Sequence, residues 1–194
     1  MKTFPSWIER AAAEGVGEYF QTGPPPFSPL ALPAWQVYPA RVNQKQETGT
    51  AREILVIGYG NELRGDDGVG PKVVAAVEAL QLAGVRTLIS QQLSPEHAEP
   101  VSQARLVVFV DAAVDAPREV QFRKLEPAGS SQLMAHAADP RTMLALARDV
   151  FGHAPEAWWL TIPAEDTGFS EELSPPVRRH LILAVEKIRA LAVK

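Results

Sequence analysis

Apolar positions along this chain fall into two spacings, and the two alternate. Ile54-Leu55-Val56-Ile57 is a continuous apolar run and reads as a buried strand. Val73-Val74-Ala75-Ala76-Val77-Glu78-Ala79-Leu80 reads as a helix. Residues 85–91 give a second strand, and residues 95–103 a short helix with Ser94 as its cap. Arg105-Leu106-Val107-Val108-Phe109-Val110 is nearly all apolar, which predicts a strand covered on both faces. Residues 119–125 alternate and read as a more exposed strand. A helix is expected over 140–150, with Met143, Leu144, Ala147 and Val150 or Phe151 turned inward. Residues 157–162 form another strand, on which Trp158 and Trp159 point to opposite faces. A last amphipathic helix starts at Ser174 or Pro175 and runs to about Val193. Its buried stripe is Val177, Leu181, Ala184, Val185, Ile188 and Leu191. Alternation of strand and helix predicts an α/β fold, one largely parallel sheet between helices.

Residues 1–52 break the pattern. An apolar stripe of Ile8, Ala12, Val16 and Tyr19 or Phe20 suggests a helix, weakened by Gly15 and Gly17. Gly23-Pro24-Pro25-Pro26-Phe27-Ser28-Pro29 and the prolines that follow read as extended or turn. A polar stretch over 43–50 reads as a linker. The division expected is an N-terminal Pro-rich extension, 1–52, and an α/β domain, 53–194. Phe27, Trp35 and Tyr38 are too apolar for a mere spacer, so the arm is expected to dock on this domain or on a partner.

The join between the first strand and first helix is Gly58-Tyr59-Gly60-Asn61-Glu62-Leu63-Arg64-Gly65-Asp66-Asp67-Gly68-Val69-Gly70. Pro71 belongs in a first helical turn, so the helix begins near 67–70. Asp66 and Asp67 then lie where the sheet's C-terminal edge meets a helix N-terminus, the usual ligand position in open α/β sheets. Asp66 suits a cap for the first helical amides, which leaves Asp67 free to hold a metal or a proton. Equally, both can be caps or solvated turn residues. A dinucleotide site is disfavoured: Leu63 stands where the third fingerprint glycine belongs, and two acids would repel a pyrophosphate.

Composition narrows the classes. The 194 residues are 46% hydrophobic and 22% charged, an ordinary globular balance. A net charge of -4 without a basic run argues against a nucleic-acid surface. With 0 Cys, disulfides, thiolate metal sites and a cysteine nucleophile are excluded. No apolar stretch is long enough to cross a bilayer, and no signal peptide is convincing, so a cytoplasmic location is expected.

Asp111 follows a buried run and would emerge on the same edge as the Gly58–Gly70 turn if the two strands are parallel; it can equally be a turn cap. His136 lies in a polar loop before the 140–150 helix. His97, His153 and His180 are expected at the surface. Asp67, Asp111 and His136 can converge at one edge, a donor set that leaves coordination positions open and suits Zn²⁺, Ni²⁺, Fe²⁺ or Mn²⁺. H-E-x-x-H and G-x-S-x-G are absent. Asp166-Thr167-Gly168 spells the aspartic-protease tripeptide once, in a polar loop, and is read as an accident.

Taken together, these residues resemble the hydrogenase maturation protease family. The resemblance rests on Ile54-Leu55-Val56-Ile57-Gly58-Tyr59-Gly60-Asn61, Asp66-Asp67-Gly68-Val69-Gly70, Val110-Asp111-Ala112, His136-Ala137-Ala138-Asp139-Pro140 and Leu173-Ser174-Pro175-Pro176-Val177. It implies a twisted, mainly parallel sheet flanked by helices on both faces. It implies nickel as the metal, brought by the substrate, with Asp67, Asp111 and His136 as ligands. The implied activity is an endopeptidase that removes the C-terminal peptide of a nickel-loaded [NiFe] hydrogenase large-subunit precursor. Asp67 or Asp111 would serve as the catalytic base. A non-enzymatic nickel- or partner-binding module of the same fold is the alternative. The family offers no role for residues 1–52, which are expected to take part in partner or self-association.

Overall fold

The computed structural model describes residues 53–114, 117–129 and 139–192. The N-terminal extension and His136 lie outside the described residues.

The strands are β1 (Ile54–Tyr59), β2 (Val85–Ser90), β3 (Leu106–Ala113), β4 (Gln121–Leu125) and β5 (Glu156–Pro163). The helices are α1 (Val69–Ala79), α2 (Ala98–Gln103), α3 (Pro140–Phe151) and α4 (Pro175–Ala192). Short 3₁₀ turns, Gly65–Gly68 and Pro95–His97, lead into α1 and α2. The sheet order is β2-β1-β3-β5-β4. Every pairing is parallel except that of β4 with β5, so β4 is an antiparallel edge strand. The sequence reading of one mainly parallel sheet holds.

Two cores follow from the two sheet faces. On one, Val56, Val108, Val110 and Leu160 pack with Val73, Val77, Val177, Val185 and Ile188 of α1 and α4. On the other, Leu55, Ile57, Val107 and Phe109 pack with Val101, Met143, Leu144 and Ala147 of α2 and α3. Each fully buried Val, Leu, Ile or Phe contributes roughly 1.5–3 kcal/mol. Trp158 joins the first core, stacked on Phe122 with ring centroids 4.7 Å apart, and Trp159 joins the second. The alternation of the two tryptophans is as expected for adjacent strand positions.

Two expectations need correction. Val150 and Phe151 are exposed, although their spacing continues the inward stripe of α3. The core that α3 packs into takes Met143, Leu144 and Ala147 and does not extend to its last turn. The histidines are not all at the surface either. His97 is buried, its Nδ1 accepting from the Ser94 amide at 2.9 Å, while His153 and His180 are half-buried. Charged sequence neighbours suggested exposure, but the 3₁₀ turn folds the His97 ring inward.

Candidate active site

β1 and β3 run in the same direction with Gly58 opposite Val110, so Tyr59 and Asp111 reach the C-terminal edge at the same level. Two glycines bring α1 onto that edge. A Cβ on Gly58 would collide with the Gly70 carbonyl, and one on Gly70 would meet the carbonyls of Tyr59 and Val110. Gly60 has φ 138°, a region side chains rarely adopt, and a Cβ there would strike the Asp67 carbonyl. The Gly-x-Gly spacing thus sets the position of the acidic turn by close backbone contact.

Asp67 closes this turn from both ends. Its Oδ2 accepts from the Asn61 amide at 2.9 Å, and its own amide donates to the Arg64 carbonyl at 3.0 Å. Among the described residues nothing bonds its other carboxylate oxygen. Asp111 stands across the edge, and burial pushes its carboxyl up to about 7. The Asp67 charge adds to that rise, while the Tyr59 hydroxyl and the Ala112 amide offset part of it. The structure therefore brings Asp67 and Asp111 within electrostatic reach of each other.

Tyr59 was not singled out from sequence. Its hydroxyl is buried beside Asp111, and among the described residues neither it nor the Trp159 Nε1 has a partner at full hydrogen-bonding geometry. Burial, then the charge of Asp111, holds the phenol in its neutral form. Asp139 caps α3 through the Arg141 amide at 2.8 Å, and its charge also reaches Tyr59. The only available signal was its place, an aromatic between two glycines at a strand end.

Asp66 does not cap α1, and this corrects the expectation for it. Its buried carboxylate instead reaches across the chain. Oδ2 accepts from the amides of Glu165 and Asp166 at 2.9 and 2.8 Å, and Oδ1 accepts from the Ser174 amide at 2.7 Å. Three donors hold its pKa below the ordinary value in spite of burial, the largest opposing effect. Asp166-Thr167-Gly168 is an Asx turn, with Gly168 donating to Asp166 Oδ1 at 2.8 Å. Its carboxylate takes part in local turn geometry.

Among the described residues, no three His, Cys, Asp or Glu side chains are grouped to hold a metal. Two of the three expected ligands, Asp67 and Asp111, lie at one sheet edge within electrostatic reach of each other, and the third lies outside the described residues. Two carboxylates with an open side suit a divalent ion as part of a set that a second molecule completes.

A mainly parallel sheet with two acids at its C-terminal edge, one in a glycine-built turn and one on a strand that runs past it, defines an α/β protein. This is the fold of the hydrogenase maturation proteases. The chain is similar to the hydrogenase maturating endopeptidase HybD of E. coli, at 21% identity and TM-score 0.57, over 72% of this chain and 91% of that one. It is similar to the [NiFe] hydrogenase maturation protease HybD of Thermococcus kodakarensis, at 25% identity and TM-score 0.56, over 72% and 99%. It also resembles a hydrogenase 2 maturation peptidase of a Thaumarchaeota archaeon, at 24% identity and TM-score 0.55, over 74% and 100%. No protein-family model and no curated protein matches the chain. What the chain shares with these solved structures is the fold.

Proposed function

We propose that this protein is an endopeptidase that removes the C-terminal peptide of a [NiFe] hydrogenase large-subunit precursor. The observation that carries the reading is the placement of Asp67 and Asp111 at one sheet edge, within electrostatic reach of each other, in a fold shared with named maturation endopeptidases. Nickel belongs to the substrate in this scheme. Asp67, Asp111 and His136 are the residues that would complete its coordination, and the ion would polarise the scissile carbonyl.

The chain's own residues have distinct tasks. Asp67 is aimed by its bond to Asn61, and its second oxygen, unbonded among the described residues, is left for a ligand or a proton. Asp111 sits where burial makes a lone carboxylate costly, so a cation from the client is favoured over solvent. One of the two takes the proton from the attacking water as the peptide bond opens. An unloaded precursor would bind weakly, because specificity here is a difference in affinity.

The test is incubation with nickel-loaded precursor and with nickel-free precursor, followed by intact mass. Loss of a C-terminal peptide from the loaded form alone supports the reading. Stable association without mass loss would favour a non-enzymatic binding module instead.

A further inference from the structure

The rim beside Asp67 joins two segments about a hundred residues apart. Ser170 donates from its amide to the Leu63 carbonyl at 3.0 Å, and Gly65 to the Ser170 carbonyl at 2.6 Å. Asp66 donates from its amide to the Asp166 carbonyl at 2.8 Å, and Arg64 Nε to the Thr167 carbonyl at 3.3 Å. The Asp66 carboxylate adds its three amide bonds to Glu165, Asp166 and Ser174. A loop tied at this many points has lost most of its freedom before any partner arrives.

Yet this fixed loop carries Phe169 with 91% of its surface open, and the adjoining turn carries Leu63 with 48% open. Both residues lie on hydrogen-bonded neighbouring segments, and the turn is the one that Asp67 closes. Exposed carboxylates flank them along the same two segments: Glu62, Glu165, Asp166 and Glu171. Among the described residues none of these four has an ion-pair partner, and Arg64 is the one cation within the two segments 61–65 and 164–172.

We propose that this rim is the docking surface for the client precursor. Leu63 and Phe169 enter an apolar recess bordered by Lys or Arg side chains, next to the peptide bond offered to Asp67 and Asp111. The inference rests on the endopeptidase reading, since a protease acting on a folded precursor must engage protein surface beside its acidic edge. Charge selects the occupant. A symmetric contact with a second copy would set one acidic rim against another, whereas a basic border on the client is complementary. A rigid, open aromatic beside the reacting groups also matches the anchors that dominate protein interfaces.

The experiment measures kcat and KM for nickel-loaded precursor, with sedimentation and thermal melting of each variant. Phe169→Ala is expected to raise KM about tenfold with kcat within about twofold, and Leu63→Ala less. Glu165→Lys with Glu171→Lys should raise KM and flatten its rise with salt. Melting temperatures should not change for side chains so exposed. Unchanged KM for Phe169→Ala overturns the proposal, as does a wild-type dimer that Phe169→Ala dissolves without changing KM. Wild type that leaves the precursor uncut breaks the endopeptidase reading instead. Precursor affinity then decides the rim: a drop on Phe169→Ala upholds it, and no drop overturns it.

Discussion

Asp66 and Asp111 are both carboxylates drawn away from water, and their surroundings treat them in opposite ways. Asp66 has no exposed surface, but three backbone amides point at it and its charge is satisfied. Asp111 lies on β3 where that strand runs past the end of β1, beside a second acid and the buried Tyr59 phenol, and burial raises its pKa to about 7. The number of aimed donors, more than depth, separates a charge that holds the fold from one that awaits a counter-charge. Adjacent residues in the same turn divide along this line. Asp66 binds the amides of Glu165, Asp166 and Ser174, and Asp67, half-buried, keeps one carboxylate oxygen unbonded among the described residues.

Breaking the satisfied side should cost most in stability. Asp66→Ala removes the acceptor of three part-buried amides, with an expected loss of roughly 3–5 kcal/mol. Urea unfolding measures it, and a loss below about 1 kcal/mol would mean the three amides find other partners.

The two carboxylates should also pull stability in opposite directions with pH. Asp111 is neutral in the fold up to about 7 but ionises near 4 when unfolded. Its contribution is complete below about pH 4 and is lost as pH rises to about 7, an effect of up to about 4 kcal/mol. Asp66 works the other way: its contribution is present above about pH 4 and is lost in acid. In metal-free protein, Asp111→Asn should remove the decline between pH 4 and 7, and Asp66→Asn should leave that decline in place. Unfolding curves across that range separate the two.

The smallest effect sharpens the coupling between the acids. Asp67→Asn keeps an oxygen for the Asn61 amide but removes the charge that raises Asp111. The Asp111 midpoint, followed by carboxyl NMR, should move down. A static midpoint would mean that the two groups do not sense each other.

Much of this was legible in the sequence because it depends on local spacing. Continuous apolar runs gave the parallel strands, and Pro140 with Gly152 marks both ends of α3, the latter at φ 77°. That Asp67 and Asp111 share one sheet edge was legible because each follows an apolar strand run. Asp66 was misread because capping is a local rule, and its partners lie 99, 100 and 108 residues away. His97 and the last turn of α3 were misread for a related reason: burial depends on the partner element, and sequence neighbours do not disclose it. Tyr59 carried almost no signal, since an aromatic at a strand end is ordinary until its neighbours are known.

The central claim is that Asp111, with Asp67, acts on the client while Asp66 only supports them. Its most direct test is the processing rate of nickel-loaded precursor by Asp111→Asn, read by intact mass. The account predicts a fall of roughly 10²–10⁴-fold with the melting temperature at neutral pH unchanged or raised. Cleavage at the wild-type rate by that variant would contradict it.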